Sequence, residues 1–97
     1  MSETASGAAR RWGHAPVITR RTSAALLLLP LESLDDDPLM LSGTAIVIWE
    51  AFNPPATVDD VVASLGTRFS GPAQQVTRDV ATTVDTLVSA GALEERE

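Results

Sequence analysis

The stretch PLMLSGTAIVIWEAFNPP, residues 38–55, changes its hydrophobic period part-way along. Pro38 to Leu41 reads as a short strand, with Leu39 and Leu41 facing one side and Met40 the other. Proline at its first residue suits an edge strand, where one side of the backbone needs no ladder partner. From Ala45 the period becomes helical. Ala45, Ile48, Trp49 and Phe52 fall at i, i+3, i+4 and i+7, on one helical face. Ser42 stands where a side-chain oxygen caps such a helix. Asn53-Pro54-Pro55 ends it, because proline removes a donor and clashes with the preceding turn.

Towards the N-terminus, Ala24 to Leu31 reads as a strand. Its leucines are continuous rather than alternating, which predicts burial on both faces or nearly so. A short buried helix competes, but Pro30 favours the strand. Pro16 to Thr19 is a further strand candidate, with Val17 and Ile18 supplying β-branched weight. Arg20 to Ser23 is a turn, and Glu32 to Asp37 is a polar loop with three consecutive aspartates. Residues 1–15 lack periodicity and read as a flexible tail, leaving 16–97 as the domain. Trp12 stands apart in that tail, either packed on the domain edge or free to meet a partner.

Towards the C-terminus two more helices follow. Thr57 and Asp60 form a capping-box variant, and Val58, Val61, Val62 and Leu65 repeat the i, i+3, i+4, i+7 spacing. The third helix starts near Pro72, a good first-turn residue. Val76, Val80, Val84, Leu87 and Val88 line its apolar stripe. Gly91 suits the left-handed position beyond its end, and Glu94 to Glu97 is a solvated terminus. Strands grouped before helices give an α+β class, with three strands followed by three helices.

The chain has 97 residues, 44% of them hydrophobic, no cysteine and a net charge of −6. That is enough for one modest core, and it excludes disulfides and thiolate chemistry. The charge is uneven. Residues 1–21 hold four arginines against one glutamate, and the remainder holds three arginines against twelve acids. Nucleic-acid binders carry a basic face, since phosphate neutralisation supplies much of their affinity; none is visible in the domain, so no nucleic acid is expected. Met1 to Ala9 contains no apolar core of the kind a secretory signal needs. The longest apolar run, Ala24 to Leu31, is too short to span a bilayer. A cytoplasmic protein with no membrane partner is expected.

Catalytic equipment is missing. His14, the single histidine, lies in the tail with no sequence neighbour to work with and reads as a surface residue. Asp35, Asp36 and Asp37 lack the alternating spacing of a calcium loop, so a solvated turn is the expectation and no metal or cofactor is implied. Asp59 and Asp60 sit at a helix start, where the macrodipole favours negative charge.

Three segments in order resemble the PqqD-like family. They are Asp37 to Ala45 followed by Ile48-Trp49-Glu50; Thr57 to Leu65; and Val76, Asp79-Val80, Val84, Leu87, Gly91 and Leu93. The resemblance covers about residues 16–93. It implies a winged helix-turn-helix-like fold, a three-stranded antiparallel sheet followed by three helices. It also implies a RiPP recognition element, a non-catalytic chaperone for ribosomally made, post-translationally modified peptides. Such proteins hold a precursor's leader peptide and present it to a modifying enzyme or leader peptidase. Ser42 stands where the family more often has Asn, and the acidic loop and arginine-bearing tail are departures from its pattern.

The family binds by strand addition, in which an extended peptide satisfies an edge strand's free N–H and C=O groups. The residues this implies are Asp37, Pro38, Leu39, Met40 and Leu41 on the edge strand. Val76, Asp79, Val80 and Thr83 would supply a wall from the third helix. A winged-helix DNA-binding regulator is the alternative reading of the same architecture, although the second and third helices offer only Arg68 and Arg78. A phosphopantetheine carrier is disfavoured, since Ser64-Leu65 falls late in a helix.

Overall fold

The computed structural model describes residues 10–68 and 71–96. It is an α+β fold with antiparallel sheets and three helices. The first sheet has the order β2-β3-β4, formed by β2 (Val17–Arg21), β3 (Leu26–Pro30) and β4 (Leu39–Leu41). Thr22 closes the β2–β3 hairpin. Its Oγ1 accepts from the Ala25 N–H at 3.0 Å, and its own N–H donates to the Ala25 carbonyl at 2.8 Å. Ala24 and Ala25, expected as strand, therefore belong to the turn.

Leu28 lies opposite Leu39 and Leu26 opposite Leu41, and residues directly opposite share a face. Leu26, Leu28 and Leu41 are buried, while Leu27 and Leu29 are only half-buried. The two faces are thus unequally buried, because the helices cover one face of this sheet. Its outer face shows Ile18 opposite Leu29, and Arg20 opposite Leu27 opposite Met40.

The helices are α1 (Thr44–Ala51), α2 (Val58–Gly66) and α3 (Ala73–Ser89). Ser42 does not cap α1. The N-cap is Gly43, at φ +57° and with no side-chain cap bond. The chain swings from β4 into α1 through this one left-handed residue, which glycine adopts without a Cβ penalty. The α2 capping box forms as expected, with the Asp60 N–H donating to Thr57 Oγ1 at 3.0 Å and the Thr57 N–H donating to Asp60 Oδ2 at 3.5 Å.

Pro72 stands at the N-cap of α3 rather than in its first turn. Gly91, at φ +81°, ends α3. The Ala92 N–H donates to the Leu87 carbonyl at 2.8 Å and the Gly91 N–H to the Val88 carbonyl at 3.0 Å, the paired bonds of a Schellman end. Val76, Val80, Val84 and Leu87 are buried, but Val88 is exposed, because it lies one residue, or 100° of helix, beyond Leu87.

The second sheet departs from expectation. Arg11 to His14, assigned to the tail from sequence, form β1 (Arg11–His14). The presumed solvated end forms β6 (Leu93–Arg96), and Ala56–Thr57 form β5. Their order is β5-β1-β6, all antiparallel. Strands are therefore not confined to the region before the helices. Gly13 makes the arrangement fit, since a Cβ there would meet Pro55 Cγ at 3.0 Å and Arg96 Cγ at 3.1 Å. Trp12 packs against the core. The rest of the expected tail, residues 1–9, lies outside the described residues, as does Glu97 at the expected solvated end.

Candidate functional site

Sheet edges differ in how they are guarded. β6 shows exposed Glu94, Glu95 and Arg96, β2 ends in exposed Arg20 and Arg21, and β5 is two residues long. Charges of this kind discourage pairing with another chain. Among the described residues β4 pairs with β3 on one side only, and it carries no charge at all, being Leu39-Met40-Leu41.

Two depressions lie along α3, and one of them is shared with β4. At one end Leu39 faces Asp85, Thr86, Ser89 and Ala90 across an open hollow. At the other, just past β4, a cavity of about 150 Å³ opens between the start of α1, the end of α2 and the start of α3. Buried Ile48, Leu65, Val76 and Val80 line it, together with exposed Thr44, Gly71 and Gln75 and half-buried Asp79. Gln75 Nε2 donates to Asp79 Oδ1 at 2.9 Å. A cavity of about this volume in an apolar core holds a benzene-sized group, so one bulky aliphatic or aromatic side chain fits it.

Of the residues singled out from sequence, Val76, Asp79 and Val80 come together in that cavity. Leu39 lines the opposite hollow, and half-buried Thr83 follows Asp79 by one turn of α3. Leu41 is buried in the core. Met40 is 66% exposed and shares the outer face of the sheet with Leu27. Pro38 lines a shallow site on that face with Ile18, Arg20, Leu27 and Leu29. Asp37 is exposed just before it. Sequence reasoning missed Thr44, Gln75 and Thr86. The signal for Gln75 and Thr86 was present, since Gln75, Asp79, Thr83 and Thr86 recur at three- and four-residue spacing beside the apolar stripe, whereas Thr44 carried none.

The sequence model of the family described as "Coenzyme PQQ synthesis protein D (PqqD)" matches residues 26–93. The chain belongs to the PqqD family. No curated protein and no solved structure matches it. Membership ties the chain to the biosynthesis of peptide-derived cofactors and modified peptides, in which PqqD proteins are accessory recognition proteins. The matched span runs from β3 to the first residue of β6, so β1 and β2 lie outside it.

His14 of this PqqD protein is not the unpartnered surface residue expected. Its ring stacks on Trp49 at 3.4 Å between centroids, with 3° between planes. Nε2–H donates to the Trp49 carbonyl at 2.7 Å. Burial lowers its pKa below 6.5, aided by the Arg96 charge and opposed by the Trp49 hydrogen bond and by Glu50. Pairing β1 with β6 creates this environment, which no local sequence window contains. Among the described residues, no group of three or more metal-ligating side chains gathers, and no helix is long and apolar enough to cross a membrane. Asp59 and Asp60 are exposed on α2, where a DNA-reading helix needs cations.

Proposed function

We propose that this PqqD-family protein captures the leader segment of a ribosomally made precursor peptide on the free edge of β4. It then presents that peptide to a modifying enzyme or leader peptidase in the cytoplasm, and performs no chemistry itself. The observation that carries the reading is the uncharged edge of β4, whose Leu39 shares a hollow with α3, together with the apolar cavity at the start of that helix. Leu39, Met40 and Leu41 offer backbone groups to the incoming strand, and Asp37 and Pro38 stand at its entrance. Val76, Asp79, Val80 and Thr83 form the opposing wall.

A three-residue edge turns the backbone groups of only one or two residues outward, because ladder bonds alternate between the two sides of a strand. Side-chain pockets therefore supply most of the affinity. An unfolded leader also loses conformational entropy when it binds, which holds affinity per unit area down.

The test is fluorescence anisotropy with labelled leader segments of a precursor encoded beside this protein. Met40→Asp is the informative variant, since Met40 is exposed and its replacement leaves the core intact. Saturable binding by the wild type, weakened in a Met40→Asp variant of unchanged melting temperature, is expected. Equal binding by both proteins counts against the edge of β4. Val80→Asp is unsuitable, because Val80 is fully buried and an unpaired charge there unfolds the protein.

A further inference from the structure

The charges around the β4–α3 groove have one predominant sign. Asp79 stands at the rim of the cavity and Asp85 at the opposite hollow. Asp35, Asp36 and Asp37 precede β4, all exposed. Arg78 is the one cation on α3, exposed on the outward side of Asp79. Among the described residues none of the five aspartates has an ion-pair partner. Asp79 accepts a hydrogen bond from the neutral Gln75 amide. The ion pairs lie elsewhere, Arg10 with Glu95, Arg96 with Glu94 and Arg21 with Glu50, on the second sheet and at the far end of β2.

We infer that the groove selects a cationic peptide, one bulky apolar side chain seated in the cavity and Lys or Arg side chains meeting Asp79 and Asp85. The inference rests on the peptide-capture reading and deepens it. The cavity fixes where the anchor goes, since its lining side chains are Ile48, Leu65, Val76 and Val80 with polar groups only at the rim. The carboxylates then set the charge of the flanking positions. A carboxylate on the peptide would meet Asp79 or Asp85 with a single guanidinium in compensation, and like charges brought together at an interface are strongly disfavoured. Unpaired aspartates lose no existing ion pair when a cation arrives. Long-range attraction also speeds encounter, and salt screens it.

The probe is a random-peptide phage library panned on the immobilised full chain, with bare resin as control. The comparison proteins are Asp79→Asn/Asp85→Asn and Asp35→Asn/Asp36→Asn/Asp37→Asn, each checked for an unchanged melting temperature. The wild type should enrich peptides with an excess of Lys and Arg and a bulky apolar residue at a fixed offset from them. A synthetic copy of such a peptide should bind the wild type less well as salt rises. Each carboxylate removed should weaken it by up to about fivefold, the scale of one exposed ion pair. Enriched peptides that are neutral or acidic would overturn the charge selection and leave peptide capture standing. Cationic peptides bound as tightly by both variants as by the wild type would overturn it as well. No enrichment over bare resin would overturn both readings together.

Discussion

Filling the cavity between α1, α2 and α3 should raise stability and lower affinity at once. Val76 is 9% exposed and lines the cavity of about 150 Å³. Val76→Leu adds one methylene pointing into space that the fold leaves empty. A buried methylene contributes about 0.8 kcal/mol, and leucine is also a better helix former than valine by a few tenths of a kcal/mol. For a domain of this size about 1 kcal/mol corresponds to roughly 4–8 °C in Tm, and the two contributions together are about that large, so a rise on this scale is expected. The peptide loses what the cavity gains. An anchor side chain worth about 1.5–3 kcal/mol when buried is obstructed, which weakens binding by up to roughly ten- to a hundredfold. Thermal unfolding by circular dichroism and anisotropy with a labelled leader read the two effects. A structural role alone predicts the stability change without the binding change. A stabilised Val76→Leu that binds the leader as tightly as the wild type refutes the anchoring role of the cavity.

Three further outcomes follow from single residues. Burial lowers the pKa of His14 below 6.5 in the fold, so the unfolded chain takes up its proton first and stability from this residue is lost as pH falls below 6.5 towards the folded value. Melting temperatures measured across that range should fall more steeply for the wild type than for His14→Phe, which keeps a stacking ring, and parallel curves contradict the assignment. Thr57→Ala removes the α2 cap and should cost about 0.5–2 kcal/mol in chemical denaturation, with Thr57→Ser close to wild type. Gly13→Val should lower Tm and speed amide exchange in β1, because its side chain meets Pro55 and Arg96 at close range; unchanged exchange in β1 would show that the strand tolerates the side chain.

Local periodicity and punctuation were enough to read the helices. The i, i+3, i+4, i+7 sets at Ala45–Phe52 and Val58–Leu65, the Thr57–Asp60 cap and the left-handed Gly91 are each decided within a few residues of chain, and all four appear in the structure. The hairpin and the edge position of β4 were legible for the same reason. The β5-β1-β6 sheet was not. Its strands are two to four residues long, and its register joins Trp12 to Glu95 and to Ala56. Such pairings are set by tertiary packing rather than by propensity. His14 was misread with β1, since its Trp49 partner is distant in sequence.

The Ser42 cap failed on a different ground. A serine before a helix is a good statistical cap, but Gly43 immediately after it carries the turn at positive φ and displaces it. Part of the candidate site was visible as edge-strand and helix residues. The cavity was not, because it forms where three helices meet and its lining comes from Thr44, Leu65 and Val76 together.

Addition of a peptide to the outer edge of β4 would order the backbone of that strand. Amide hydrogen exchange followed residue by residue, with and without a binding leader, reads that ordering. New protection is expected within Leu39–Leu41 and shifts at Gln75, Asp79 and Thr83, with β6 and β2 unchanged. Saturable leader binding that protects the edge of β6 or β2, and leaves Leu39–Leu41 exchanging as in the free protein, would contradict addition at β4.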